Sequence, residues 1–204
     1  VTATGGANGG AGIGAGAYCN SDTIRISGGI VTATGSTYAA GIGDGMGGEG
    51  GIFITSPFST AVIFASSISD NDDTGDWGGI IFQGDEGKAY SDLTAIVDPV
   101  TIPEGKTLTL ENGQRLDNWS GAGLTNLGTI RVNQGGTYSG DQPTGNPVQY
   151  QMSWDTDGDG TVDDFTYVAY GEMPDHAQGT KDQDQQYSYT FSGWTPELKQ
   201  VTAP

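Results

Sequence analysis

Within its first fifty residues the chain nearly repeats itself. Val1-Thr2-Ala3-Thr4-Gly5 returns as Val31-Thr32-Ala33-Thr34-Gly35, and Ala11-Gly12-Ile13-Gly14-Ala15-Gly16 returns as Ala40-Gly41-Ile42-Gly43-Asp44-Gly45, each one unit of about 30 residues later. A unit of this length cannot bury an apolar face alone, so successive units must cover one another; short β-branched runs broken by glycine make the stack a β-solenoid. Strand patterns at 23–27, 29–33 and 51–55 are separated by glycine-rich corners. Alternation turns Ile24 and Ile26 inward and sets Ile52 and Ile54, one unit later, above them. Each buried side chain in such a ladder contributes about 1.5–3 kcal/mol before ordering entropy is charged. The 36 glycines lack the every-third spacing of collagen and are read as corners.

The segment 69–90 breaks the pattern with an acidic run, Asp70, Asp72, Asp73 and Asp76, read as a solvated loop, then recovers it at 79–83; the segment reads as an excursion between coils. Strand patterns resume at 93–97, 100–110 and 124–132, in shorter coils of about 20 to 24 residues. Two prolines and two glycines at 140–147 are expected to stop strand pairing. The expected organisation is therefore a glycine-rich β-helix over 1–140, a linker over 141–147, and a β-rich module over 148–204 with aromatic strands at 148–154, 165–170 and 187–191.

Two stretches in that last part carry a resemblance. Phe165-Thr166-Tyr167-Val168-Ala169-Tyr170-Gly171-Glu172-Met173-Pro174 and Tyr187-Ser188-Tyr189-Thr190-Phe191-Ser192-Gly193-Trp194-Thr195-Pro196 resemble the Listeria-Bacteroides repeat, a relative of the internalin B-repeat. That family has a Tyr-Gly before an acidic, proline-containing loop, then an aromatic strand ending in Phe-x-Gly-Trp. The resemblance implies a small β-grasp-like module of the kind strung along bacterial surface proteins, here without its usual last strand. The glycine-rich coils are similar to β-helical regions of large surface proteins of Gram-positive gut bacteria. The expected fold is all-β: a right-handed parallel β-helix followed by the β-grasp-like module, as a piece of a longer surface protein.

Charge narrows the function. Seven Lys and Arg stand against 25 Asp and Glu, a net charge of -18, which repels phosphate backbones and excludes nucleic-acid binding. The same imbalance favours solubility and divalent cations. No run of about 18 apolar residues is present for membrane insertion. The single cysteine, Cys19, permits no intrachain disulfide or thiolate zinc cluster and is expected to be a small buried residue.

The sharpest local pattern is Asp155-Thr156-Asp157-Gly158-Asp159-Gly160-Thr161-Val162-Asp163-Asp164. Carboxylates at loop positions 1, 3 and 5, glycine at 6, the Thr161 carbonyl at 7 and Asp163 at 9 match the start of a calcium loop. Thr166 stands where a helix-loop-helix site has its bidentate glutamate, with Asp164 as the substitute. Two readings stay open: calcium held by Asp155, Asp157, Asp159, Thr161, Asp163 and Asp164, or a metal-free hairpin whose Asp-Gly pairs make turns for their own reasons.

Trp77, Trp119, Trp154 and Trp194 are read as caps on core ends, with sugar-stacking platforms as the alternative. Thr2, Thr4, Thr32 and Thr34 form a short solvent-facing rank. The paired carboxylates, bases and cleft that glycoside cleavage requires are not legible, so no catalytic residue is nominated. The expectation is a non-catalytic stalk and binding surface of a secreted or cell-wall-attached protein, with a host or bacterial surface glycan or protein as partner. A carbohydrate-binding or polysaccharide-degrading β-helix is the first alternative. A self-assembling extracellular fibre subunit, associating through open sheet edges or coil ends, is the second.

Overall fold

The computed structural model describes residues 1–55, 59–69, 77–90 and 93–202; Asp70, Asp72, Asp73 and Asp76 lie outside them. Among the described residues the chain forms strands and turns, with no helix and so none long and apolar enough to cross a membrane. An N-terminal stack contains β1 (Thr2–Thr4), β2 (Ile13–Gly14), β3 (Thr23–Ile26), β4 (Ile30–Thr34), β5 (Ile42–Gly43), β6 (Ile52–Thr55) and β7 (Val62–Ala65). After β8 (Ile80–Gln83) a C-terminal stack takes over. Its coils are built from β9 (Glu86–Ala89), β10 (Thr94–Ile96), β11 (Val100–Ile102), β12 (Thr107–Leu110), β13 (Arg115–Asn118), β14 (Leu124–Asn126), β15 (Thr129–Val132), β16 (Thr137–Gly140) and β17 (Thr144–Gly145). The hairpin β18 (Gln149–Trp154) and β19 (Asp164–Ala169) closes it.

The β-solenoid is thus observed, and the repeats lie on one another: Ala3 faces Ala33, Thr2 and Thr4 face Thr32 and Thr34, and Ile13 faces Ile42, all in parallel. One expected ladder is shifted. Ile24 stands opposite Phe53, and Ile26 opposite Thr55, while Ile52 and Ile54 pair with Thr23 and Arg25. The offset is the same one that brings Ile13 over Ile42, because the glycine corners fix one coil length for both faces. Phe53 therefore takes the core position at 1% exposure. Cys19 is exposed, not buried. It follows Tyr18, whose positive φ of 59° turns the chain at a corner outside the core.

One nine-stranded sheet joins the two stacks, in the order β1-β4-β7-β8-β9-β12-β15-β18-β19. Its strands are parallel as far as β8; the hairpin through Gly84 and Asp85 then sets β9 antiparallel to β8, and β12, β15 and β18 keep the reversed direction. The core changes sides at the same place. Ile63, Ala65 and Ile81 join Val31, Ala33, Ile42 and Phe53 in the N-terminal core. Their neighbours Val62, Ile80 and Phe82 join Leu108, Leu110 and Ile130 in the C-terminal core. Alternate residues of a strand point to opposite faces, so the unbroken apolar runs of β7 and β8 are what a wall buried on both sides requires. Reversed direction and exchanged face cancel, and both stacks wind in the same sense.

The C-terminal coils have the expected shorter length: Thr107 pairs with Thr129, Leu116 with Tyr138 and Val100 with Leu124, each pair one coil apart. Phe82 stacks on Phe64 at 4.8 Å and fills the space over Gly87, where a Cβ would collide with its ring. Strand pairing does not stop at 141–147. Thr144 and Gly145, between the two prolines, form β17 against Thr125 and Asn126, and Gly145 at φ 92° lies against the Asn126 carbonyl where only glycine fits. β18 then continues the sheet beside β15, and Val148, Tyr150, Val168 and Val201 share the core of Leu108.

Beyond Ala169 the described residues form no strand, so the expected strand at 187–191 is absent. Asp184 gathers that run into a turn, accepting hydrogen bonds from the Gln186 and Tyr187 amides and the Tyr189 hydroxyl, each at 2.7 Å. The loop returns at Val201, whose carbonyl accepts from Gly171 N–H at 2.7 Å and whose amide donates to Glu172 at 2.9 Å.

Candidate binding site

The tip of the β18–β19 hairpin carries the acidic loop. Gly158 and Gly160 sit at φ 72° and 91°, left-handed conformations that turn the chain twice in quick succession. Asp155 spans the turn: Oδ1 accepts from the Gly158 and Asp159 amides at 2.7 and 3.2 Å, and Oδ2 from the Gly160 amide at 2.8 Å. Asp157 accepts from the Asp159 amide at 3.0 Å, and Asp159 from the Thr161 amide and hydroxyl at 2.7 and 2.6 Å. One carboxylate oxygen from each of Asp155, Asp157 and Asp159 lies within 4.8 Å of the others. A divalent cation could draw such a set together.

The two remaining carboxylates of the expected calcium set are drawn elsewhere. Asp163 closes the hairpin, accepting from the Thr156 amide and hydroxyl at 2.6 and 2.7 Å. Asp164 faces His176 Nε2 at 3.1 Å, and the Thr161 hydroxyl is spent on Asp159. Hydrogen bonds from Thr161 hold the Asp159 carboxyl below the ordinary range, those from Thr156 do the same for Asp163, and His176 does so for Asp164. Donors aimed at a carboxylate favour its charged form, so these three keep their charge to lower pH than a free aspartate does. His176 is shifted upward, first by the Ala177 carbonyl at 3.0 Å from Nδ1 and then by Asp164. With an acceptor at each ring nitrogen, the imidazolium is stabilised relative to a free imidazole.

Next to this loop the hairpin and the 172–201 segment enclose a cleft of about 1230 Å³, lined by Trp154, Asp155, Asp157, Tyr189, Phe191 and Trp194 among others. Its aromatic rings are layered. Trp154, 4% exposed, donates its indole N–H to Thr166 at 2.7 Å and carries His176 and Trp194 at centroid distances of 4.7 and 4.9 Å; Phe191 meets Trp194 at 5.1 Å. The four tryptophans thus divide. Trp154 is buried beside the cleft that it and Trp194 line, Trp77 packs on Phe53 and Tyr90 at the N-terminal core, and Trp119 is 60% exposed.

Sequence reasoning missed His176, the cleft and Asp44. Asp44 is the one position where the repeated Ala-Gly-Ile-Gly-Ala-Gly motif exchanges an alanine for a carboxylate. At 4% exposure it accepts from the Ser21 amide and hydroxyl at 2.6 and 3.0 Å and from the Gly50 and Gly51 amides at 3.0 and 3.1 Å. Burial alone would raise its pKa, but these four donors together pull it below the ordinary 3.8. It ties one coil to the next. Comparison with protein-family models, with curated proteins and with solved structures finds no match for this chain.

Proposed function

We propose that this chain is a non-catalytic structural and adhesive segment of a secreted or cell-wall-attached bacterial surface protein, a stiff stalk bearing a binding surface. The observation that carries the reading is the nine-stranded sheet running through both stacks, with a core on each of its faces. Such an object is held by backbone pairing along its whole length, which suits a spacer under load. Among the described residues the buried carboxylate, Asp44, is consumed by its hydrogen bonds, and the exposed acids of the hairpin tip are engaged with local donors. Both favour binding over turnover.

The test is incubation of the chain with polysaccharides followed by assay of released reducing ends. The expected result is no release; turnover abolished by a single aspartate substitution overturns the reading. Calcium belongs to the same proposal. Asp155, Asp157 and Asp159 would supply carboxylate oxygens to an ion at the hairpin tip, with the Thr161 carbonyl completing the shell together with Asp163 and Asp164 once these leave Thr156 and His176. The melting temperature should then rise between excess chelator and millimolar calcium. An unchanged value removes calcium from the account.

A further inference from the structure

We propose that the cleft between the β18–β19 hairpin and the 172–201 loop binds a neutral oligosaccharide of several rings. The inference rests on the reading of the chain as a binding segment and names its ligand class. Size is the first argument. At about 1230 Å³ the cleft exceeds the roughly 300–1,000 Å³ typical of sites for single small molecules, so its occupant is extended.

The rings give the second argument. Trp194 meets Trp154 at 4.9 Å, His176 at 5.6 Å and Phe191 at 5.1 Å, all edge-on. Its position is therefore set before any ligand arrives, while it and Phe191 remain only half-buried and Tyr189 is 44% exposed. Flat apolar rings with polar tips, fixed in a concave wall, suit the C–H faces of pyranose sugars.

Charge selects among extended ligands. The lining mixes Asp155, Asp157 and Glu197 with Lys181 and Lys199, donors and acceptors of both signs that match sugar hydroxyls. Three acids against two lysines leave the lining nearly balanced, so a basic peptide finds no concentrated negative patch there, and the net charge of -18 opposes an acidic polysaccharide or nucleic acid. A neutral chain of hydroxyls and C–H faces meets neither obstacle.

The experiment uses the full chain labelled with nitrogen-15, titrated with neutral hexasaccharides of β-1,4-glucan, β-1,4-xylan, β-1,4-mannan and chitin, with hexagalacturonate and hexalysine as charged controls. At least one neutral hexamer should shift the indole signals of Trp154 and Trp194 and leave those of Trp77 and Trp119 in place; the charged hexamers should shift neither. Trp194→Ala should weaken binding at least about tenfold, equivalent to ~1.4 kcal/mol. Should that variant lose its near-ultraviolet circular dichroism, Tyr189→Ala on the rim replaces it, with weakening by about threefold expected. The proposal is overturned if no neutral hexamer shifts Trp194 at millimolar concentration, if binding survives loss of the rings, or if a charged hexamer binds more tightly. Cleavage of a bound hexamer would support the site and overturn the non-catalytic reading, whereas absence of binding leaves that reading standing.

Discussion

The two stacks solve the same problem with the same two devices in different proportion. In the N-terminal stack the coils close through side chains that are missing: a Cβ on Gly14 would collide with the Gly43 carbonyl, and one on Gly45 with the Gly16 carbonyl. Its core sets Ala33, Ala61 and Ala65 among Ile42, Phe53 and Ile63, and Asp44 supplies a polar tie between coils. In the C-terminal stack the coils close through side chains that are present, in rows such as Leu108 over Ile130 and Leu110 over Val132. Its turn glycines Gly105, Gly113 and Gly121 face open space, while Gly140 and Gly145 still lie against carbonyls of the neighbouring coil. The comparison teaches that glycine has two roles in this chain, one enforced by contact with the neighbouring coil and one enforced only by backbone conformation.

The wall between the stacks gives the largest expected effects. Phe82→Ala should cost about 3–5 kcal/mol and Ile81→Ala about 2–5 kcal/mol in urea unfolding. Amide exchange should tell them apart, with Phe82→Ala deprotecting β12 and β15 and Ile81→Ala deprotecting β4. Equal loss across both stacks in both variants would mean that the two cores behave as one cooperative unit. Glycine comes next. Gly14→Ala should destabilise by about 2–4 kcal/mol, because overpacking adds to the strain of its φ of 136°. Gly113→Ala, at φ 82° with open space around it, should cost only about 1 kcal/mol. Similar costs at the two sites would refute the contrast.

Asp44 adds a difference in acid. Its folded pKa lies below the unfolded value, so its stabilisation is whole above that value and drains away as the pH falls through the folded one. The N-terminal stack should therefore lose amide protection before the C-terminal stack below about pH 4. Asp44→Asn should remove the early step while costing about 1–3 kcal/mol at neutral pH. The smallest effect belongs to His176, whose folded pKa is raised above 6.5. Its hold on the 172–201 loop is complete below that value and is lost as the pH rises through the folded one. Tryptophan fluorescence should report loosening of Trp194 on the alkaline side, and His176→Gln should flatten the profile.

Much of the solenoid is legible in the sequence because a repeated motif and an alternating strand both leave periodic marks. The offset between Ile13 and Ile42 is written in the glycines around them, and the shorter coils follow from runs such as Leu108 and Leu110. The register of Ile24 is not legible because Ile52-Phe53-Ile54 offers apolar residues at every step, so only the neighbouring face decides which one enters. The reversal at β8 is hidden for a related reason: the run at 79–83 looks the same whether it faces one core or two. Pairing through 141–147 escapes notice because prolines flank the two residues that pair. At the hairpin tip the spacing of Asp155, Asp157 and Asp159 points to their convergence. It gives no sign that Thr156 and His176 claim Asp163 and Asp164, since those contacts depend on where the chain returns. The cleft lies equally beyond local pattern, being walled by a loop with no regular structure.

The double-sided wall also has a consequence for how such a chain can change over evolutionary time. Insertions in the corners merely lengthen a coil's outline. A single residue added within β7 or β8 would instead invert parity, sending Ile63 and Ile81 towards the space shaped for Val62 and Phe82 and the reverse, so that both interiors would be corrupted by one event. Only paired additions preserve the assignment, which makes this short stretch the least elastic part of the molecule and the natural fixed point from which both windings can be extended or trimmed.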